Sequence, residues 1–124
     1  MVFLHLDNCP YCAWMLADNF VKGDNHDFIR KHFDVIAVNV RGDLDVTWVD
    51  GARYTERTLT RQLKVVGTPT LVFLGHDGRI VLRLAGYREP GELRAALSFV
   101  QTRGYLKGPF SSPPRNAPTS TPFP

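Results

Sequence analysis

The sequence predicts an α/β fold in which a mixed sheet is flanked by helices. Short apolar runs typical of buried strands alternate with segments whose apolar residues recur at helical spacing. Helical segments separate the first two strand-like runs, so we expect those strands to pair in parallel through a crossover. The later runs "TLVFL" and "RIVLRL" are separated only by "GHDG", which predicts an antiparallel pair that closes the sheet.

The first strand and first helix are predicted in residues 2–23. The run "VFLHL" (residues 2–6) is typical of a buried strand. Pro10 suits the first position of a helix, and Gly23 is expected to end it. Helical spacing predicts a buried face formed by Ala13, Leu16, Ala17 and Phe20.

A second helix and a second strand are predicted next. Asn25 is a good N-cap residue for a helix whose inward-facing residues are Phe28, Ile29 and Phe33. The run "VIAVNV" (residues 35–40) predicts a strand covered on both faces, as is usual in parallel sheets.

An inserted β-hairpin is predicted from "VTWVDGARYT" (residues 46–55). Both sides of Asp50-Gly51 favour strands, and this dipeptide favours a tight two-residue turn. Thr55 can cap the helix that follows, and Gly67 is expected to stop that helix. Its apolar stripe consists of Leu59, Leu63 and Val66.

The last strand and last helix complete the predicted domain. In "RIVLRL" two sets of residues alternate, which indicates a half-exposed strand. The inward set is Ile80, Leu82 and Leu84, and the outward set is Arg79, Val81 and Arg83. The final helix begins near Pro90 and is expected to bury Leu93, Ala96, Leu97 and Val100.

The C-terminal segment differs in composition from the rest of the chain. Residues 107–124 ("KGPFSSPPRNAPTSTPFP") are rich in Pro and Ser/Thr and lack apolar periodicity. Such a segment cannot bury enough apolar surface to offset its chain entropy. We therefore expect one domain over residues 1–106 and a disordered tail over residues 107–124.

Composition excludes several classes of function. A chain of 124 residues with 44% hydrophobic residues can bury a core of its own. The net charge of +3 is mild and its basic residues are interspersed with acidic ones, so we expect no nucleic-acid binding. No apolar run approaches the roughly 18 residues of a membrane span. No signal peptide is visible, so either the protein is cytosolic or a targeting segment was removed.

Cys9 and Cys12 are the only two cysteines in the chain. A zinc site normally needs two further ligands, and a c-type haem would need a histidine where the chain has Ala13. The histidines, which form no second close pair in the sequence, are His5, His26, His32 and His76. Folding could still bring one of them near the cysteines. An inert disulfide also stays open, although so small a loop would contribute little stability.

Position favours redox chemistry at this pair. Cys9 falls at a strand-to-helix junction, where free N–H groups and the helix dipole stabilise a thiolate. Cys12 lies one turn later and is expected to face the core. An exposed Cys9 can then attack a substrate sulfur, and a shielded Cys12 can resolve the mixed disulfide.

Pro69 stands at the entrance of the strand "TLVFL", where proline is normally excluded from the ladder. Such exceptions are expected at functional sites. A cis Thr68-Pro69 bond would turn the chain sharply and leave the backbone groups of Thr68 free. The alternative is a trans Pro69 that merely ends the preceding loop.

Together these motifs resemble the thioredoxin-fold family. "CPYC" opens the first helix, "GTPT" is similar to the cis-proline loop, and "LVFLGHDGRIVLRLAGYREPGELRAAL" resembles the terminal hairpin, glycine-bearing bend and last helix. The resemblance covers about residues 2–100. With "HDFIRKHF" and the inserted hairpin, the chain looks most like bacterial periplasmic thioredoxins of the SoxW type.

The resemblance implies a thiol:disulfide oxidoreductase acting on protein disulfides. Its catalytic residues would be Cys9 as nucleophile and Cys12 as resolving thiol. Residues that contact substrate would be Tyr11, Thr68 and Pro69, with Pro10 and Gly67 as structural support. Thr68 would pair its backbone with a substrate strand, whereas Trp14 is expected to be a packing residue.

One position departs from the family pattern. Where many thioredoxins carry a buried Asp ahead of the first cysteine, this chain has Phe3. His5 or Asp7 could take over its role in deprotonating the resolving thiol, but His5 could equally be a satisfied core histidine.

The resemblance also sets expectations about partners and location. We expect a periplasmic monomer without cofactor or metal that works with protein thiols and an upstream redox partner; a cytoplasmic location is the alternative. Because "CPYC" also occurs in glutaredoxins, a glutathione-dependent enzyme stays open, although "AGYREPGEL" is more similar to thioredoxins. A non-catalytic binding module with an inert disulfide is the third alternative.

Overall fold

The computed structural model describes residues 1–111, which form a sheet with helices on both faces and a separate hairpin. In chain order the elements are β1 (Val2–His5), α1 (Pro10–Asn19), α2 (Asp24–His32), β2 (Ile36–Asn39), β3 (Asp45–Thr47), β4 (Arg53–Thr55), α3 (Glu56–Gln62), β5 (Thr70–Leu74), β6 (Ile80–Ala85) and α4 (Pro90–Gln101), followed by a 3-10 turn (Gly104–Leu106).

The central sheet is mixed and has the strand order β2-β1-β5-β6. β2 pairs in parallel with β1, and α1 and α2 form the crossover between them. β5 is antiparallel to β1, and β6 is antiparallel to β5. β3 and β4 pair separately as an antiparallel hairpin. The predicted α/β fold class is therefore confirmed, including the parallel crossover, the closing antiparallel pair and the inserted hairpin.

The sheet separates two apolar clusters, and β1 contributes to both. Phe3 faces the first cluster with residues of α1, α2 and α4, whereas Val2 and Leu4 face the second cluster with residues of α3. All three side chains are at most 2% exposed. Because β1 is central and buried on both faces, the loop after His5 leaves from the middle of the sheet. This position places Cys9 at the carboxyl end of the central strand.

The buried face of α1 differs from the predicted one. The predicted residues Ala13, Leu16 and Ala17 are exposed, and only Phe20 contributes as expected, by packing against the ring of Phe3. The residues that face the core are Cys12, Met15 and Asn19. The prediction was wrong because it was based on apolar residues alone, whereas the buried face of α1 includes the polar residue Asn19. Asn19 can lie there because its amide is hydrogen-bonded.

Asn19 and Asn25 form a buried amide pair between α1, α2 and the start of α4. The Asn25 amide nitrogen donates to Asn19 Oδ1 at 2.8 Å and to the Pro90 carbonyl at 2.9 Å. The Asn19 amide donates to the carbonyls of Met15 and Arg88 at 3.3 and 3.4 Å. The prediction that Asn25 is the N-cap of α2 was therefore wrong, because Gly23 takes that position. The Asn25 side chain binds neighbouring elements instead of its own helix.

β2 is an edge strand and is not covered on both faces. Val38, which pairs with Leu4 of β1, is 1% exposed, but Ile36 is 44% exposed. The apolar run was therefore interpreted wrongly, because an edge position leaves a parallel strand only partly covered.

The turn of the inserted hairpin has three residues and not two. Trp48 N–H donates to the Ala52 carbonyl at 2.8 Å, so residues 49–51 form the loop. Gly51 has φ +89°, the left-handed conformation that glycine adopts without strain. Asp50-Gly51 marks the turn correctly, but Gly51 occupies the last loop position, as in three-residue loops.

Helix α3 begins as predicted and ends earlier. The Thr55 hydroxyl accepts from Thr58 N–H, and the Thr58 hydroxyl accepts from Thr55 N–H, so the N-terminus is capped reciprocally. Lys64 has φ +58°, which ends the helical path before Val66 and Gly67. Leu59 and Leu63 are buried, but Val66 is fully exposed. The predictions that Val66 belongs to the buried face of α3 and that Gly67 ends this helix were therefore wrong.

The last strand contains an irregularity that shifts its pattern. A bulge lies between Phe73 and Leu74, opposite the start of β6. Ile80 is consequently exposed, whereas Val81 packs against the first cluster and Leu84 is buried. The predicted alternation therefore holds at Leu84 and fails at Ile80 and Val81. In α4 all four predicted residues are buried: Leu93, Ala96, Leu97 and Val100.

The first residues of the proposed tail contact the domain. The Phe110 ring lies 5.2 Å from that of Phe99, measured between centroids. Residues 112–124, which make up most of the proposed disordered tail, lie outside the described residues. The boundary after residue 106 stays a prediction.

Candidate active site

The start of α1 is built around Cys9. Asn8 adopts the left-handed conformation with φ 60°, Cys9 is the extended N-cap residue, and Pro10 is the first residue of the helix. Cys9 Sγ accepts a hydrogen bond from the backbone N–H of Cys12 at 3.1 Å. The sulfur therefore takes the place that an N-cap oxygen usually fills. Pro10 suits this turn because its position needs no hydrogen-bond donor.

Cys9 and Cys12 form a disulfide, with their Cα atoms 5.2 Å apart. Cys9 is partly buried and borders a groove, whereas Cys12 is 4% exposed and belongs to the first apolar cluster. The two sulfurs therefore differ in access. Attack from outside the protein can reach Cys9 more easily than Cys12.

The electrostatic environment of Cys9 favours a negative charge on its sulfur when the bond is reduced. The first turn of α1 contains no acidic residue. The free N–H groups at this end of the helix carry the positive part of its dipole. A thiolate at Cys9 would be stabilised by both factors.

Thr68 and Pro69 lie next to this sulfur. The Thr68–Pro69 peptide bond is cis. The Thr68 hydroxyl donates to Cys9 Sγ at 3.5 Å, and the Pro69 carbonyl accepts from Gly86 N–H at 2.8 Å. Within residues 1–111, the backbone N–H and C=O of Thr68 form no hydrogen bond. These two groups can bind an extended segment. The hydroxyl contact was not predicted, because only the backbone of Thr68 was considered.

Gly67 supports this loop through its backbone. Its carbonyl accepts a hydrogen bond from the Thr70 hydroxyl at 2.7 Å. A side chain at this position would meet no atom within 4 Å. The small size of Gly67 is therefore not what the loop requires.

Three aromatic side chains form a surface beside the cysteines, which we call the aromatic edge: Tyr11, Trp14 and Tyr87. Tyr11 is 50% exposed and contacts Trp14 edge-to-face at 5.1 Å between ring centroids. Trp14 is 42% exposed, so its side chain packs against Tyr11 at the surface and not in the core. Tyr87 lies 6.4 Å from Tyr11 and was missed, because a tyrosine after a glycine bend gives no functional signal.

Tyr87 is held in place from α1. Its hydroxyl donates to the Asp18 carboxylate. Burial, the hydrogen bond to Asp18 and the negative charges of Asp18 and Glu89 raise the pKa of the Tyr87 hydroxyl well above its usual value. Tyr87 therefore stays neutral and keeps this hydrogen bond throughout the physiological pH range.

A groove runs along the other side of the cysteine pair, and we call it the sulfur groove. Both sulfur-bearing residues border it, together with His5. The remaining residues are apolar except for one amide: Leu6, Asn8, Pro10, Ala13 and Leu16. The exposed α1 residues Ala13 and Leu16 thus form its apolar wall.

In residues 1–111, no group of three or more His, Cys, Asp and Glu side chains is arranged to hold a metal ion. No helix in that part of the chain is both long and apolar enough to cross a membrane.

Comparison with known protein families identifies the family of this chain. Residues 1–101 match the family described as a thioredoxin-like domain. The chain belongs to the thioredoxin-like family. A comparison with curated proteins found no significant match.

Solved structures show the same thioredoxin fold. A thioredoxin-fold protein from Helicobacter pylori is similar with a TM-score of 0.73 and 23% identity, covering 85% of this chain and 70% of that one. A thioredoxin from Thermus thermophilus has a TM-score of 0.65 and 29% identity, covering 83% and 73%. The DsbH oxidoreductase has a TM-score of 0.51 and 19% identity, covering 86% and 72%. The thioredoxin-like fold and the cysteine pair at disulfide distance together support thiol–disulfide chemistry in general.

Proposed function

We propose that this protein is a thiol:disulfide oxidoreductase that exchanges electrons with protein disulfides through Cys9 and Cys12. The observation that carries the proposal is the difference between the two sulfurs. Cys9 is accessible at a helix N-terminus beside Thr68, and Cys12 is shielded in the core. The 29% identity to a thioredoxin from Thermus thermophilus supports the same activity.

In the reducing direction the reaction has two steps. The Cys9 thiolate attacks a substrate disulfide, which forms a Cys9–substrate bond and releases one substrate sulfur as a thiol after protonation. Cys12 then loses its proton and attacks Cys9, which forms the Cys9–Cys12 disulfide and releases the second substrate sulfur. Two electrons pass from the protein dithiol to the substrate, and the reverse sequence oxidises a substrate dithiol.

We propose that substrate docks as an extended segment across Thr68. Its unpaired backbone N–H and C=O are available to an added strand. Tyr11 stands between the cysteines with half of its side chain exposed and offers an aromatic contact beside that segment. Backbone pairing would supply affinity that depends little on sequence, and the aromatic edge would favour apolar neighbours of the substrate disulfide.

The proposal is tested by trapping the intermediate. Reduced Cys12→Ser protein should accumulate covalent adducts with a disulfide substrate such as insulin, because Cys9 can attack and no thiol resolves the product. Cys9→Ser protein is the matched control and should form almost none. Adducts that form through residue 12 in preference to residue 9, on non-reducing gels, would reverse the assignment.

Two more measurements separate the alternatives. Turnover with glutathione as the sole electron donor would identify a glutaredoxin-like enzyme. Alkylation of reduced Cys9 no faster than that of free cysteine would identify a non-catalytic module with an inert disulfide.

We further propose that the protein works in the periplasm, as a monomer of the SoxW type with an upstream redox partner. The proposal rests on the resemblance of "CPYC", the hairpin and "GTPT" to that group. An equilibrium redox titration of the cysteine pair determines the direction of electron flow, because potentials among proteins of this chemistry span more than about 100 mV. Fractionation of cells that express the full-length gene product tests the location.

A further inference from the structure

His5 lines the sulfur groove, and the proposed exchange reaction gives it no role. It is the last residue of β1, and its ring stacks on that of Phe3 with 5.7 Å between centroids. It is partly exposed, and within residues 1–111 neither of its ring nitrogens has a hydrogen-bond partner. It is therefore not a core histidine whose polar atoms are satisfied. Stacking fixes the ring, while its nitrogens remain available.

The sulfur groove offers no other group that can move a proton near neutral pH. Apart from the two cysteines, its lining in the described chain contains no side chain besides His5 that titrates. Imidazole is the side chain best suited to accept and return a proton at neutral pH.

The second step of exchange needs such a group. Cys12 is almost fully buried, and its thiol must lose a proton before it attacks Cys9. Burial in apolar surroundings disfavours the charged thiolate. The helix N-terminus stabilises a thiolate at Cys9 and not at Cys12, because it is the Cys9 sulfur that accepts the hydrogen bond from the Cys12 N–H. Deprotonation of Cys12 therefore needs a base that reaches it from the groove.

We propose that His5 accepts the proton of the Cys12 thiol when Cys12 attacks the mixed disulfide, and returns it to the departing substrate sulfur. The transfer passes directly or through one water in the sulfur groove. The Cys9–substrate bond breaks, the Cys9–Cys12 bond forms, and the proton moves from Cys12 through His5 to the substrate thiolate. This role rests on the proposed oxidoreductase function and concerns its second step.

The lining of the sulfur groove presents no formally charged side chain to His5 in the described residues. Asp7 is two residues further along and exposed. The strand partner of His5 in β2 is Asn39, which carries no charge. From α1 the groove presents Cys9, Cys12 and apolar residues. Leu6 also lines a separate groove, which contains the cation Arg41.

The test separates the two steps of exchange. Reduced wild-type and His5→Gln proteins are mixed with a disulfide substrate, quenched with acid, and assayed for the mixed disulfide by mass spectrometry. At about pH 7 the variant should resolve the mixed disulfide about 100-fold more slowly, a typical effect of losing a general base. The deficit of the variant should shrink as the pH is raised to about 9.5, because hydroxide then removes part of the Cys12 protons without His5.

Controls distinguish proton transfer from structure. His76→Gln removes an exposed histidine at another surface and should match the wild type. In a Cys12→Ser background, His5→Gln should leave the rate of adduct formation at Cys9 unchanged, because the first step does not use His5. His5→Asn replaces His5→Gln if the latter fails to fold, and added imidazole should partly restore either variant.

Two outcomes would overturn the role of His5: resolution at about pH 7 as fast as in the wild type, or a deficit that is as large at about pH 9.5 as at about pH 7. Failure of the proposed function has a different signature. In that case wild-type and Cys12→Ser proteins form no adduct with the substrate at either pH, whatever residue 5 is.

Discussion

The hydroxyl of Thr68 lies 3.5 Å from the sulfur of Cys9, although 59 positions separate the two residues in the chain. The contact exists because β1 and β5 are neighbours in the sheet, so the loop before β5 meets the loop after β1. A donor at this distance stabilises negative charge on sulfur weakly, and it does so only in the folded protein.

Thr68→Val should slow the alkylation of reduced Cys9. Removing the hydroxyl costs the thiolate about 1 kcal/mol, or about fivefold in thiolate-dependent rate. The rate with iodoacetamide at about pH 6 measures this effect. Thr68→Ser keeps the hydroxyl and is the matched control. Equal rates in Thr68→Val and Thr68→Ser would show that the hydroxyl does not act on the sulfur.

Asn25→Ala should lower the free energy of unfolding by about 2 kcal/mol. The change leaves Asn19 Oδ1 and the Pro90 carbonyl without their donor in a buried region. Urea unfolding followed by fluorescence measures the loss. Gln62→Ala, at an exposed position of α3, should change stability by less than about 0.5 kcal/mol.

The energetic coupling between Asn19 and Asn25 can be measured with a double variant. The Asn19→Leu, Asn25→Leu double variant should lose less stability than the sum of its two single variants, because it removes both partners of one hydrogen bond together. Strict additivity would mean that the two amides act independently.

Tyr87 should ionise at higher pH than a free tyrosine. Because its folded-state pKa is raised, its contribution to stability is complete below about pH 10 and is lost as pH rises towards the folded-state pKa. Tyr87→Phe should remove the late limb of the tyrosinate absorbance titration. Unfolding free energy should also fall less steeply above about pH 10 in this variant. If the high-pH part of the absorbance titration were unchanged in Tyr87→Phe, the tyrosine with the raised pKa would be another residue.

Two truncations test the beginning of the tail. A protein ending at Ser111 keeps the contact of Phe110 with Phe99, and one ending at Gly108 removes it. We expect the first to match the full chain, since the sequence of residues 112–124 predicts no core contribution. The second should be less stable by about 1 kcal/mol, for a half-buried aromatic ring. Equal melting temperatures of the two truncations would show that Phe110 contributes nothing.

The sequence predicts those parts of the fold that depend on local signals. Thr55 caps α3 through its own hydroxyl, and the buried stripe of α4 follows from four residues at regular spacing. The identity of the buried face of α1, in contrast, depends on hydrogen-bond partners outside this helix. Asn19 is buried only because Asn25 and the Arg88 carbonyl satisfy it, and no pattern within α1 indicates this.

The site was predicted in part for a similar reason. The positions of Cys9 and Cys12 follow from a helix start that Pro10 marks within the motif itself. Tyr87 and the hydroxyl of Thr68 are brought to the cysteines by strand pairing across the whole domain. Their roles depend on long-range contacts, which single-residue preferences do not report.

The site is assembled from segments around residues 8–12, 66–70 and 86–87, which meet only when β1, β5 and β6 have paired. During synthesis the cysteines emerge first, and the residues that surround Cys9 emerge much later. Until then the cysteines lack the neighbours Thr68 and Pro69, which lie beside Cys9 in the folded domain. The complete surroundings of Cys9 therefore exist only in a chain whose sheet has formed.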